Sequence, residues 1–202
     1  MILVVEGATN SGKTTLCRNL ENYWLQEGHR AILLSKLYDI DPIHIRIKSI
    51  TNPIDDAIVM DSWTTVLLYL GHLARKVDIL AHLIQSGRVD HVIVDRLEPS
   101  VLALATISRV DVDVVRALIG RIVEGLPPRE GVLLEIELKT MRARAALSPL
   151  SRKDAAIGEF WTLYSAALKE AAATFYPSTH SIRVDHQSEQ DLLTAVIRSV
   201  KL

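Results

Sequence analysis

Residues 7–14 read Gly7-Ala8-Thr9-Asn10-Ser11-Gly12-Lys13-Thr14, a match to the phosphate-loop pattern G-x-x-x-x-G-K-[ST]. The pattern demands a strand before it and a helix after it, and both flanks comply. Residues 2–6 form a short apolar run suited to a buried strand, and residues 14–26 carry the period of an amphipathic helix. Glycines let the loop fold tightly enough for its N–H groups to surround the β- and γ-phosphates. The helix then starts beneath those phosphates, with its partial positive end facing negative charge. Lys13 adds a mobile cation, and the Thr14 hydroxyl is placed to hold Mg²⁺. Asn10, Ser11 and Gly12, with Thr15 on the first helical turn, complete the cradle. A chance glycine turn would leave the strand and helix in register unexplained. The pattern therefore implies a nucleoside triphosphate site.

At 202 residues the chain has room for one well-buried core, so residues 1–202 are read as a single domain. A hydrophobic share of 49% excludes a disordered chain. Lys and Arg number 23 against 24 Asp and Glu, a net charge of −1, which leaves no global footprint for nucleic acid or an anionic membrane. Cys17 is the sole cysteine, so an intrachain disulfide and a multi-cysteine metal site are both excluded. Its spacing with Leu16, Leu20 and Trp24 predicts a buried thiol acting as a small hydrophobe. No apolar run approaches the roughly 18 residues of a membrane helix. With the loop starting at residue 7 there is no room for a cleaved leader, and the expectation is a cytoplasmic protein.

Strand-like and helical runs alternate along the chain. Further strands are expected at 31–35, 91–95, 131–138 and 179–184. Helices are expected at 62–85, 100–108, 112–125, 140–147, 154–175 and 189–200, with a start signal at Asn52-Pro53. Such alternation predicts an α/β fold: a five-stranded parallel sheet covered by helices on both faces, three layers in all. Ligands in these sheets bind at the carboxyl ends of the strands, where Gly7 and Asp95 both fall.

Asp95 closes the third strand and Arg96 follows it. A carboxylate there is placed to hold a Mg²⁺-bound water, and the arginine can reach transferring phosphate oxygens. A surface salt bridge is the competing explanation. Asp95-Arg96-x-x-x-Ser100-x-x-Ala103 resembles the D-R-[YH]-x-x-S-x-x-A signature of thymidylate kinases. Gly28-His29-Arg30-Ala31 before the second strand, Leu67-Leu68-Tyr69 on the long helix and Val184-Asp185 before the last helix are similar to that family as well. The likeness runs in order along nearly the whole chain. It implies a P-loop kinase fold with a lid segment, and transfer of phosphate from ATP to a nucleoside monophosphate.

In such a fold Arg142, Arg144, Arg152 and Lys153 occupy the lid, about residues 139–154. A mobile basic segment closing over the triphosphate would exclude water and spread transition-state charge. Solvated helix charge explains the same residues as well. Arg142 is the resemblance's choice for the lid arginine.

The acceptor half departs from the family. Thr9 stands where an aspartate helps hold the sugar. After the second strand the chain runs Ser35-Lys36-Leu37-Tyr38-Asp39-Ile40-Asp41, with Lys36 as the basic residue in place of an arginine that grips the acceptor phosphate. Tyr69 keeps the aromatic that faces the acceptor ring, but Leu73 replaces the arginine four positions on. Arg75 is a further two residues along, about 200° round the helix, and cannot simply substitute. Leu97 and Leu104 also stand where aromatic residues are expected.

Asp39 and Asp41 open a second reading. A hydroxyl acceptor benefits from a carboxylate to take its proton, whereas a phosphate acceptor needs positive charge. Asp41-Pro42 is equally a plain turn pair. The seven histidines show no metal-ligand spacing.

The sequence thus points to a kinase using Mg·ATP, with Lys13, Arg96, Asp95 and Arg142 catalytic and Thr14 and Asp95 serving Mg²⁺. Thr9, Lys36, Asp39, Tyr69, Arg96 and Ser100 would hold a small, nucleotide-like or nucleoside-like acceptor. The alternatives are a kinase of a nucleoside or other small hydroxyl compound with Asp39 or Asp41 as base, and a nucleotide-dependent switch without an acceptor. Neither a membrane nor nucleic acid is expected as partner, and the long helices offer a face for a homodimer.

Overall fold

The computed structural model describes residues 1–51, 62–146, 158–176 and 178–200. Five strands, β1 (Ile2–Gly7), β2 (Ala31–Leu33), β3 (His91–Asp95), β4 (Arg129–Glu135) and β5 (His180–Arg183), form one sheet in the order β2-β3-β1-β4-β5. Every pairing is parallel. β1 sits at the centre, with Val5 opposite Asp95 of β3 and Gly7 opposite Leu134 of β4. That register brings the phosphate loop and Asp95 to the same end of the sheet.

Side chains alternate between the two faces of the central strands, as the pleat requires. Ile2, Val4, Val92 and Val94 pack on one side beneath α4 (Ser62–Gln85), α5 (Glu98–Ile107) and α6 (Val112–Ile122). Leu3, Val5 and Ile93 pack on the other, against α1 (Lys13–Gln26) and α9 (Glu189–Ser199). Both faces are dry, so the strands read as continuous apolar runs. Each such side chain contributes roughly 1.5–3 kcal/mol on burial. Cys17 is fully buried between α1 and the sheet, and burial pushes its thiol pKa up.

Several boundaries differ from the sequence reading. The second strand stops at Leu33, because Leu34 makes the last ladder bond, to Ile93, and then turns helical. Residues 35–38 form a short helix, α2 (Ser35–Tyr38), and α3 (Pro42–Thr51) follows. Asp41-Pro42 is therefore a helix start and not a plain turn: Asp41 Oδ1 accepts the N–H groups of Ile43 and His44, each at 3.0 Å. β4 runs 129–135 and not 131–138, since Glu137 N–H is taken by Asp185 Oδ1 and α7 (Leu138–Ala146) begins at once. β5 spans His180–Arg183, one residue shorter at each end than expected. α5 starts two residues early, with Pro99 in its first turn where a missing N–H does no harm. α8 is described as Gly158–Phe175, and the Asn52-Pro53 signal lies outside the described residues. Among the described residues no helix is long and apolar enough to cross a membrane.

Candidate active site

Gly7 ends β1 with φ +151°, and a Cβ there would meet Leu134 O and Ser11 Oγ at 2.8 Å. Gly12 precedes α1 with φ +92°, a left-handed turn that directs the helix N-terminus into the loop. Asn10 holds φ +60° between them. Ser11 and Lys13 are buried, Thr14 is exposed and Thr15 half-buried. The Lys13 ammonium donates to the Ala8 carbonyl at 2.5 Å, folded inward over its own loop. Burial, helped by the Arg96 charge, draws its pKa from 10.5 to about 7. A triphosphate entering the loop would offer this ammonium far better partners than a carbonyl.

A cavity of about 490 Å³ opens from the loop. Its walls run from Asn10, Lys13 and Thr15 past Asn19 and Arg144 to Val184 and Gln187, beyond the end of β5. It therefore extends from the phosphate cradle to the connection before α9. Arg144 closes one side, donating to the carbonyls of Asn10 at 3.2 Å and Val184 at 2.8 Å. Arg142, the residue expected there, is exposed on α7 and away from these contacts. In the described structure Arg144, not Arg142, meets the loop, because the two lie about 200° apart round the helix. Arg152 and Lys153 fall outside the described residues.

Asp95 completes the donor side. Thr14 Oγ1 donates to its Oδ2 at 3.4 Å, while Oδ1 is buried with no hydrogen-bond partner among the described residues. A buried carboxylate oxygen left open beside a phosphate loop fits a Mg²⁺ ion that keeps waters and takes its remaining ligands from phosphate. No group of three acidic, His or Cys side chains gathers among the described residues, and such a Mg²⁺ site needs none.

Arg96 follows in a left-handed conformation, φ +64°, with its N–H bonded to Val5 O. Its guanidinium donates to Ser100 Oγ at 3.1 Å and Tyr164 Oη at 3.0 Å, with the Tyr69 hydroxyl within electrostatic reach. Beneath lies Glu6, which accepts from Leu97 N–H at 2.8 Å and Ser100 Oγ at 2.6 Å. Burial raises the Glu6 pKa against the pull of the Arg96 charge. Arg96, Ser100 and Tyr69 are thus brought together. Glu6 and Tyr164 were not singled out from the sequence. Glu6 had a signal, as the one charge in the apolar run 2–6; Tyr164, 68 residues from Arg96, had none beyond helical spacing.

Of the other residues expected on the acceptor side, Lys36, Asp39 and Asp41 each face a partner of their own. Lys36 is exposed and paired with the buried Glu21 at 2.8 Å. Glu21 in turn accepts Leu33 N–H, so this pair ties α1 to β2. Asp41 takes Arg75 through both Nε, 3.0 Å, and Nη2, 2.5 Å, besides capping α3. The Arg75 hydrogen bond holds the Asp41 pKa at about 2, so it is a poor proton acceptor. Asp39 is half-exposed, 3.5 Å from His44 Nε2. His44 and His72, scattered in sequence, meet as hydrogen-bonded imidazoles between α3 and α4. Thr9 is exposed.

No curated protein matches the chain at a significant level. The family model described as thymidylate kinase matches residues 5–191, from β1 into α9. The span takes in the loop, the Asp95-Arg96 turn and the acceptor-side helices together. On this match the chain belongs to the thymidylate kinase family and is a P-loop kinase, an enzyme and not a nucleotide-dependent switch.

Proposed function

We propose that the protein transfers the γ-phosphate of Mg·ATP to a nucleoside monophosphate-like acceptor, residues 1–202 acting as one domain with residues 139–154 as a basic lid. The observation that carries this reading is the setting of Arg96. Its guanidinium is fixed by Ser100 and Tyr164 and coupled electrostatically to both Lys13 and Asp95. A cation held rigidly between donor loop and acceptor side stabilises charge as it moves between two phosphates. Lys13 would leave the Ala8 carbonyl for the β- and γ-phosphates, and the loop N–H groups of 10–15 would cradle them. Thr14 Oγ1 and Asp95 would hold Mg²⁺, which when bound neutralises phosphate charge. The adenosine would lie along the cavity beside Arg144. Tyr69 would face the acceptor ring. Lys36 is engaged by Glu21, which leaves Arg96 as the cation best placed for the acceptor phosphate. Exposed Trp63 and Leu67, one turn apart on α4, support a second copy of the chain as partner.

A second reading, transfer to a hydroxyl with Asp39 as base, is favoured by one observation. Both Lys36 and Arg75 are already paired with carboxylates, and Asp39 stays half-exposed beside His44. A screen with γ-labelled ATP across nucleoside monophosphates, nucleosides and small alcohols separates the two. Label on a monophosphate supports the first; label confined to hydroxyl compounds overturns it in favour of the second.

A further inference from the structure

Lys76 is a buried cation for which phosphoryl transfer as described has no use. It rises from α4 with 6% of its surface exposed, and its ammonium lies 4.7 Å above the Tyr38 ring. Its Nζ donates to two main-chain carbonyls, Asp95 O at 3.1 Å and Arg96 O at 2.9 Å. These carbonyls lie beyond the last ladder pairs of β3, Leu33 with Ile93 on one side and Val5 with Asp95 on the other. Main-chain oxygens stranded at a strand end need a donor.

The turn they belong to is not self-supporting. Arg96 carries φ +64°, a region that side-chain-bearing residues avoid. It is fixed at its N–H by Val5 O, and at the next N–H, Leu97, by Glu6. The carbonyl side of the same turn is fixed by Lys76. Without it both carbonyls lose a charged donor, and the two peptide planes that set the directions of the Asp95 and Arg96 side chains are each held at their N–H end alone. Burial, the largest influence on Lys76, lowers its pKa to about 8, as expected of an ammonium spent on main-chain oxygens rather than on water.

Leu73, where the family likeness leads one to look for an α4 cation, is buried in the apolar core. Lys76 is three residues on, the next turn of the same helix face. α4 thus presents its buried cation one turn later, and to backbone.

We propose that Lys76 is a positioning residue: its ammonium clamps the Asp95 and Arg96 carbonyls and so holds the left-handed turn that aims both side chains at the phosphate loop. The catalytic consequence rests on the kinase reading above; the clamp does not. Lys76→Met keeps the length and removes every donor, while Lys76→Arg keeps charge and donors. Should Lys76→Met fail to fold, Lys76→Gln, uncharged with a shorter amide donor, takes its place. Hydrogen exchange at the Arg96 and Leu97 amides reads the clamp directly. We expect it to quicken roughly tenfold or more in Lys76→Met, the loss of charge-assisted hydrogen bonds, and to slow again in Lys76→Arg. In turnover, kcat should fall about 10²-fold, as for a misplacement of order 1 Å, with affinity for ATP in the absence of Mg²⁺ within about twofold. Unchanged exchange at those two amides overturns the clamp, whether or not the protein proves to be a kinase. Faster exchange with unchanged kcat overturns its service to catalysis. A wild type that phosphorylates nothing contradicts the kinase reading instead, and exchange still decides the clamp.

Discussion

Thr14 Oγ1 lies 3.4 Å from Asp95 Oδ2, joining the first turn of α1 to the last residue of β3. The hydroxyl belongs to the motif that places the phosphates, and the carboxylate to the strand beside it. Their approach follows from the register that sets Val5 against Asp95. A Mg²⁺ ion held largely by water and phosphate takes few protein oxygens, and these two lie at the edge of the phosphate site.

Asp95→Asn should therefore raise the Mg²⁺ concentration needed for half-maximal turnover by about tenfold or more, the loss of a charged hydrogen-bond acceptor. Affinity for Mg²⁺-free ATP should change little. A magnesium titration of initial rates checks this, and an unchanged midpoint would remove Asp95 from the metal site.

Lys13 gives a pH prediction. In the ligand-free loop its pKa is drawn down to about 7, so at pH 8 about nine-tenths of it is neutral. Phosphates in the loop favour the charged form and raise the pKa. The group thus gains affinity for protons on binding, and the contribution to ATP affinity is complete below pH 7 and declines as pH rises above it. ATP binding at pH 8 should take up close to one proton per site, and near none through this group at pH 6. Calorimetry in buffers of differing ionisation enthalpy measures it. Zero uptake at pH 8 would mean the ammonium is already charged.

The two arginines of α7 should differ in their effect on ATP binding. Arg144→Ala should weaken ATP binding by tenfold or so, since Arg144 joins Asn10 to Val184 across the cavity. Arg142→Ala, on the exposed side of α7, should change it less than about twofold. Equilibrium binding with a fluorescent ATP analogue decides, and the reverse order would place Arg142 over the triphosphate.

On the acceptor side, Asp41→Asn should lower Tm modestly at neutral pH, because it removes the charge that pairs with Arg75 while its amide oxygen can still cap α3, and should leave kcat near the wild-type value. Asp39→Asn should leave kcat the same or higher if the acceptor carries phosphate. A loss of about 10²-fold would mark Asp39 as the base of a hydroxyl kinase.

How much of this the sequence revealed depends on how local each cause was. The loop, its strand and its helix were legible because Gly7 and Gly12 answer to backbone conformation alone. Asp95 and Arg96 could be found because a strand end is visible as the end of an apolar run. The pairings of Lys36 and Asp41 were hidden for the opposite reason. Each has the right charge near the right strand, but its partner, Glu21 or Arg75, comes from an element that sequence distance hides. Arg144 and Arg142 differ in what they contact through helix phase, two residues apart, which a boundary two residues adrift obscures. Tyr164 and Lys76 reach Arg96 from separate helices, and their contacts exist once α8 and α4 have packed on the sheet.

If this loop delivers the γ-phosphate of ATP to a small acceptor, label on that phosphate must reach the acceptor. The direct measurement incubates γ-labelled Mg·ATP with a set of nucleoside monophosphates, and follows the label in wild type and in Lys13→Ala. Label should move onto an acceptor in the wild type. In Lys13→Ala transfer should fall to background, with the Tm of the ligand-free protein little changed and its stabilisation by ATP reduced. Wild-type protein that binds ATP yet passes its label to no acceptor, or Lys13→Ala protein that turns over like wild type, would contradict the account.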